Sequence, residues 1–182
     1  MRSQVAEIID LEERKRSMGA ARLLVEWARA LGFSIGPQCS LMELPDKLLW
    51  LLAKADPRGQ SELEDLIVRV RRGKKKTSAV LGPSERMEIL DVTLFLLDQI
   101  RFECMTRLGW IEPLETRQIP LAEILSRPVE RLKELKQTPK LRQDNPSFHR
   151  FQALPLLEKE TFIRKQIPQA LEIFRRRIQE RD

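Results

Sequence analysis

The sequence predicts an all-α protein: a helical bundle of four to five main helices, followed by a proline-segmented helical C-terminal region. Three observations lead there. Apolar residues recur at helical intervals along most of the chain. Glycines and capping residues bracket those stretches. Seven of the eleven prolines fall after Trp110 and cut the rest of the chain into short helical pieces. The expected organisation is therefore a bundle core over 1–112 and a short-helix region over 113–182, docked on the bundle or on a partner.

Residues 3–31 read as one long helix or two shorter ones, with Val5, Ile8, Leu11, Met18, Ala21, Val25 and Ala28 on one side. The stretch EERKRS is polar all round and Gly19 comes shortly after it, so the first turns are expected to project as an arm or to pack weakly. Gly32 ends the helix and GFSIGPQCS forms a loop. Ser40 and Glu43 have capping-box spacing, with Pro45 expected in the first turns of the helix they open. Leu48, Leu49, Trp50, Leu51 and Leu52 leave that helix no polar face, which places it in the core. DPRG reads as a turn. Ser61 and Glu64 repeat the capping-box spacing before Leu63, Leu66, Ile67 and Val70, and Gly73 is expected just past the helix in the left-handed conformation. The rival reading of 67–81 is a basic hairpin, because β-branched residues alternate with arginine there.

Residues 83–109 give the strongest helix pattern. Pro83 and Ser84 open it and Gly109 closes it. Met87, Leu90, Leu94, Leu97, Met105 and Leu108 form one apolar stripe, and Ile89, Leu96, Ile100 and Cys104 form a second beside it. Two stripes imply more than one neighbour, so this is expected to be the central helix. Beyond Trp110, short helices are expected at 120–126, 128–137 and near 146–152, with a last helix from 155 kinked at Pro168. Phe148, Phe151, Leu157, Phe162, Ile163, Ile167 and Phe174 give this region enough apolar surface to require docking.

Charge is unevenly spread over the 182 residues, whose formal net charge is +6. Arg69, Arg71, Arg72, Lys74, Lys75 and Lys76 supply six positive charges, leaving 27 bases and 27 acids elsewhere. Residues 83–126 carry a balance of −4, and 127–182 one of +6. The chain is too apolar at 42% for a disordered polymer. Its longest apolar run, 48–53, is far short of a bilayer span, so no membrane span is expected. The N-terminus lacks an apolar signal-peptide core. Two cysteines outside any CxxC pair read as reduced, buried thiols, and the expected location is cytoplasmic.

Catalytic sets are scarce. There is one histidine, His149, without a second to share a metal. RRGKKKTS lacks the earlier glycine and the strand of a phosphate-binding loop. No catalytic residues, cofactor or metal are expected. The function expected is a non-enzymatic helical interaction module, an adaptor, regulatory subunit or assembly component with a protein partner or a second copy of itself. The first alternative is a nucleic-acid binder using Arg69, Arg71, Arg72, Lys74, Lys75, Lys76, Arg175, Arg176 and Arg177 against phosphates. No aromatic side chain is interleaved there for base stacking. The second alternative is an all-α metal-dependent hydrolase of the pyrophosphohydrolase type. Its carboxylates would be Glu85, Glu88, Asp91 and Asp98, with Glu62 and Asp65 from the preceding helix. The same acids also suit the start and wet edge of an ordinary helix.

Overall fold

A computed structural model describes residues 2–54, 56–73 and 80–181, with side chains from position 14 onward. Among these residues the fold is all α. Eight helices are present: α1 (Arg2–Ala30), α2 (Asp46–Ala53), α3 (Pro57–Arg72), α4 (Pro83–Arg107), α5 (Leu121–Ser126), α6 (Val129–Glu134), α7 (Phe148–Gln152) and α8 (Leu156–Gln179). Two 3-10 turns, Leu41–Glu43 and Glu115–Gln118, join them. The described residues form no strand; extended pairing is limited to isolated bridges at Ser40–Pro120 and Ile111–Leu141. No helix among the described residues is long and apolar enough to cross a membrane.

The 3–31 segment is a single helix, α1. Its packing starts late: residues 14–16, 18 and 19 are exposed, and burial begins at Ala20 and continues through Leu24, Trp27 and Ala28. Met18, expected on the inward stripe, instead faces solvent. Gly32 takes a φ of 85° and stops the helix.

Three local expectations are corrected. Ser40 and Glu43 do pair, with the Ser40 backbone N–H donating to Glu43 Oε2 at 2.8 Å, but they close the 3-10 turn and not α2. The cause is Pro45, which holds Leu44 in the extended region (ψ 137°), so the helix restarts only at Asp46. DPRG is the first turn of α3. Asp56 caps it, accepting from the Gly59 N–H at 2.7 Å, and Pro57 sits where its missing N–H costs nothing. Ser61 and Glu64 consequently lie inside the helix. Gly59 must be glycine, because a Cβ there would stand 2.3 Å from the Leu51 carbonyl oxygen. In α2, Trp50 and Leu51 are only half-buried, so the helix does keep a less buried side.

Helix α3 runs through Arg72, so residues 67–72 are helical and not the first arm of a hairpin. Gly73 leaves it at φ 91° with ψ 161°, a positive φ but not the left-handed helical well. The remainder of the alternative hairpin, 74–79, lies outside the described residues. Helix α6 is shorter than expected, ending at Glu134. Helix α8 continues through Pro168, which lies on its exposed side.

The C-terminal region shares the main core. Leu121, Ala122, Ile124, Leu125, Leu132, Phe174 and Ile178 pack in one cluster with Leu24, Leu48, Leu66 and Ile100. A second, smaller core joins Phe102 and Met105 of α4 to Ile111, Leu141, Phe151, Ile163, Ile167 and Ala170. Helix α4 therefore belongs to both cores and packs against α2, α3, α6 and α8. One expectation about it fails. Of the stripe Met87, Leu90, Leu94, Leu97, Met105 and Leu108, the first three are exposed, while Leu97 and Met105 are buried. Among the described residues no helix covers the face of α4 that carries these three side chains.

Candidate functional site

The arginines expected to contact anions are turned to intramolecular work. Arg69 pairs with Asp65 one helical turn back at 2.7 Å. Arg71 donates to Glu88 at 2.7 Å and to the carbonyl of Arg127, and its side chain is only 7% exposed. Burial pushes the Arg71 guanidinium down, and the bond to Glu88 opposes that shift. Arg72 binds Glu88 and lies 3.4 Å from Glu85. Two of the proposed metal ligands are thus the partners of two proposed phosphate contacts. They clamp the end of α3 to the start of α4.

At the other end of the chain, Arg175 and Arg176 share Glu172, whose carboxyl these two bonds pull down to about 2. Arg177 donates to the Arg107 carbonyl at 2.7 Å. Glu88 and Arg107 are 19 residues apart on one helix, roughly 28 Å. The two cationic groups therefore do not converge. Lys74, Lys75 and Lys76 lie outside the described residues.

Among the described residues no group of three or more His, Cys, Asp or Glu side chains is gathered closely enough to hold a metal ion. Asp98 is taken by Arg164 through two 2.7 Å bonds, which raise the Arg164 pKa. His149 is exposed, edge-on to Phe148 at 6.2 Å between ring centres. Cys39 and Cys104 are free and buried, and desolvation pushes both thiols up, away from the reactive thiolate.

Two features are not foreseen by the sequence pattern. The first is a buried polar network on the second half of α4. The Glu103 side chain is 1% exposed and accepts from Arg107 Nε at 2.9 Å and from Arg117 Nε at 2.8 Å. Arg107 also donates to the carbonyls of Leu41, Met42 and Leu44 and pairs with Asp46. Buried Gln99 accepts from the Thr116 hydroxyl. This network fixes both 3-10 turns to α4. The Glu103–Arg107 spacing of four is visible in the sequence; Arg117 and the carbonyls are not.

The second feature is an open cleft of about 210 Å³ between α4 and α6. Asp91, Leu94 and Phe95 form the α4 wall, and Val129 and Lys133 of α6 with Lys136 just beyond it form the other, over buried Leu132. Asp98, held by Arg164, also lines the cleft. Met87, Leu90 and Leu94 line up beside the cleft at three- and four-residue spacing and are 59%, 46% and 52% exposed. No ion pair with a described residue engages Asp91, Lys133 or Lys136. Helix α8 runs parallel to α4 here, because Asp98 meets Arg164 and Arg107 meets Arg177. The offset of 66 residues sets exposed Leu156 and Leu157 level along the axis with Leu90 and Asp91.

No protein family, curated protein or solved structure matches this chain.

Proposed function

We propose that the protein is a non-enzymatic interaction module whose working surface is the α4–α6 cleft with the adjoining stripe Met87, Leu90 and Leu94. The observation that carries this reading is the exposure of that stripe. Three large apolar side chains on one helical face gain nothing from water, and contiguous apolar surface rimmed by charge is the usual mark of an association site. An apolar helix face beside a groove suits helix-in-groove docking. The nucleic-acid reading is weakened because Arg69, Arg71, Arg72, Arg175, Arg176 and Arg177 all have partners inside the chain. These bonds would have to be given up before the guanidinium groups could turn to phosphate oxygens.

A photoreactive amino acid at position 94, introduced in the native cell, tests this. The expected result is a discrete protein adduct that survives nuclease treatment, with none from the same group at exposed position 58. No adduct at 94, or one lost on nuclease treatment, overturns the reading.

A further inference from the structure

We infer that the occupant of the α4–α6 cleft is a second copy of this chain, bound across a two-fold axis that lies along the cleft. This rests on the reading of the cleft as the working surface and names its partner. The argument is the arrangement of charge. One wall carries Asp91 and the other carries Lys133 and Lys136, with apolar Leu94, Phe95, Val129 and Leu132 between them. A two-fold contact uses the same patch on both copies, so the patch must be complementary to itself. With the axis along the cleft, each α4 wall faces the α6 wall of the other copy. The acidic wall of each copy, with Asp91, is then set against the lysine-bearing wall of the other, and the apolar residues of both copies close on one another. With the axis turned across the cleft, each wall faces its own counterpart and like charges meet.

The same axis makes the two α4 helices run parallel. The chain leaves the charged groups of both walls available. Asp91, Lys133 and Lys136 are all exposed, and none of the three is used in an ion pair with a described residue. Nearby Glu88 and Asp98, by contrast, are consumed internally.

Sedimentation of the purified full chain over a concentration series tests the inference. Wild type is expected to form a dimer that weakens as added salt screens the charges. Asp91→Lys alone, and Lys133→Asp with Lys136→Asp, should each raise the dimer Kd about a hundredfold, since each places like charges opposite one another. An equimolar mixture of these two variants should dimerise again, because every contact in the mixed pair is then opposite in sign. Leu94→Glu should abolish association, while circular dichroism of all variants stays that of wild type.

A wild type that stays monomeric throughout overturns the inference, as does a mixture that binds no more tightly than its components. If the chain is monomeric and position 94 still cross-links to a different protein, the self-association fails and the interaction module stands. If position 94 cross-links to nothing, both fail.

Discussion

The two halves of α4 depart from the hydrophobic rule in opposite directions. In residues 87–94 three large apolar side chains face outward, while in 99–107 a glutamate and a glutamine lie buried. The second half can bury its polar groups because each finds a partner: Glu103 holds two arginines, and Gln99 holds Thr116. In the first half no element among the described residues covers Met87, Leu90 and Leu94. A buried charge with fixed partners sets where neighbouring segments dock, which is a structural task. An exposed apolar row does nothing for the isolated fold and gains only when something covers it. One helix thus joins a region held by fixed internal partners to a region whose apolar side chains lie uncovered among the described residues.

The largest expected effect breaks the inner half. Glu103→Ala removes the shared acceptor and leaves Arg107 and Arg117 desolvated beside each other. Removing one member of a buried ion cluster costs about 3–5 kcal/mol, read as a lower midpoint in urea unfolding at neutral pH. A loss below about 1 kcal/mol would mean that water reaches the site freely and that the half is not a dry network.

Next comes a matched pair of leucines two residues apart. Leu96 is fully buried and Leu94 is 52% exposed. Leu96→Ala should cost about 2–5 kcal/mol through lost burial and the cavity left behind. Leu94→Ala should change monomer stability by no more than about 0.5 kcal/mol, as surface substitutions do. Equal losses in dilute, monomeric solution would erase the distinction between the halves.

A smaller effect sharpens the polar side. Thr116→Val leaves buried Gln99 without its donor and should cost about 1–3 kcal/mol. Adding Gln99→Leu should restore part of that loss, because an apolar pair no longer carries an unsatisfied group. A double variant as unstable as the sum of the single changes would show that Gln99 has other work.

Much of this architecture is legible in the sequence, for identifiable reasons. The existence of α1, α3, α4 and α8 comes from apolar periodicity, and the breaks at Gly32, Gly73 and Gly109 come from glycine at positive φ. Periodicity gives a helix its faces but not its neighbours. That is why Met87, Leu90 and Leu94 look as inward as Leu97. DPRG is ambiguous because an aspartate before proline serves a turn and a helix start equally well. The candidate sites mislead for a related reason. Glu88 meets Arg71 and Arg72 across the loop between α3 and α4, at separations of 17 and 16 residues, and no local spacing rule reports such a pair. The cleft needs α6, which lies some forty residues from its partner wall along the chain.

The smallest expected effect sets Glu103 against a second glutamate with the same company. Glu172 also holds two arginines, Arg175 and Arg176, but at 43% exposure it remains in contact with water. Their hydrogen bonds draw its carboxyl from an ordinary 4.5 down to about 2. A folded value below the unfolded one means that the ionised form favours the fold. The contribution is therefore whole above about pH 4.5 and fades as the pH falls toward 2, where both states bind the proton. Water and salt already screen an exposed cluster, so its worth is small even where it is whole. Glu172→Gln should lower the unfolding midpoint at neutral pH by far less than Glu103→Ala, and the gap from wild type should close on acidification. A gap that widens below pH 4.5 would reverse the sign of this linkage. A neutral-pH loss matching that of Glu103→Ala would show that the company of two arginines, and not burial, sets the value of a glutamate in this fold.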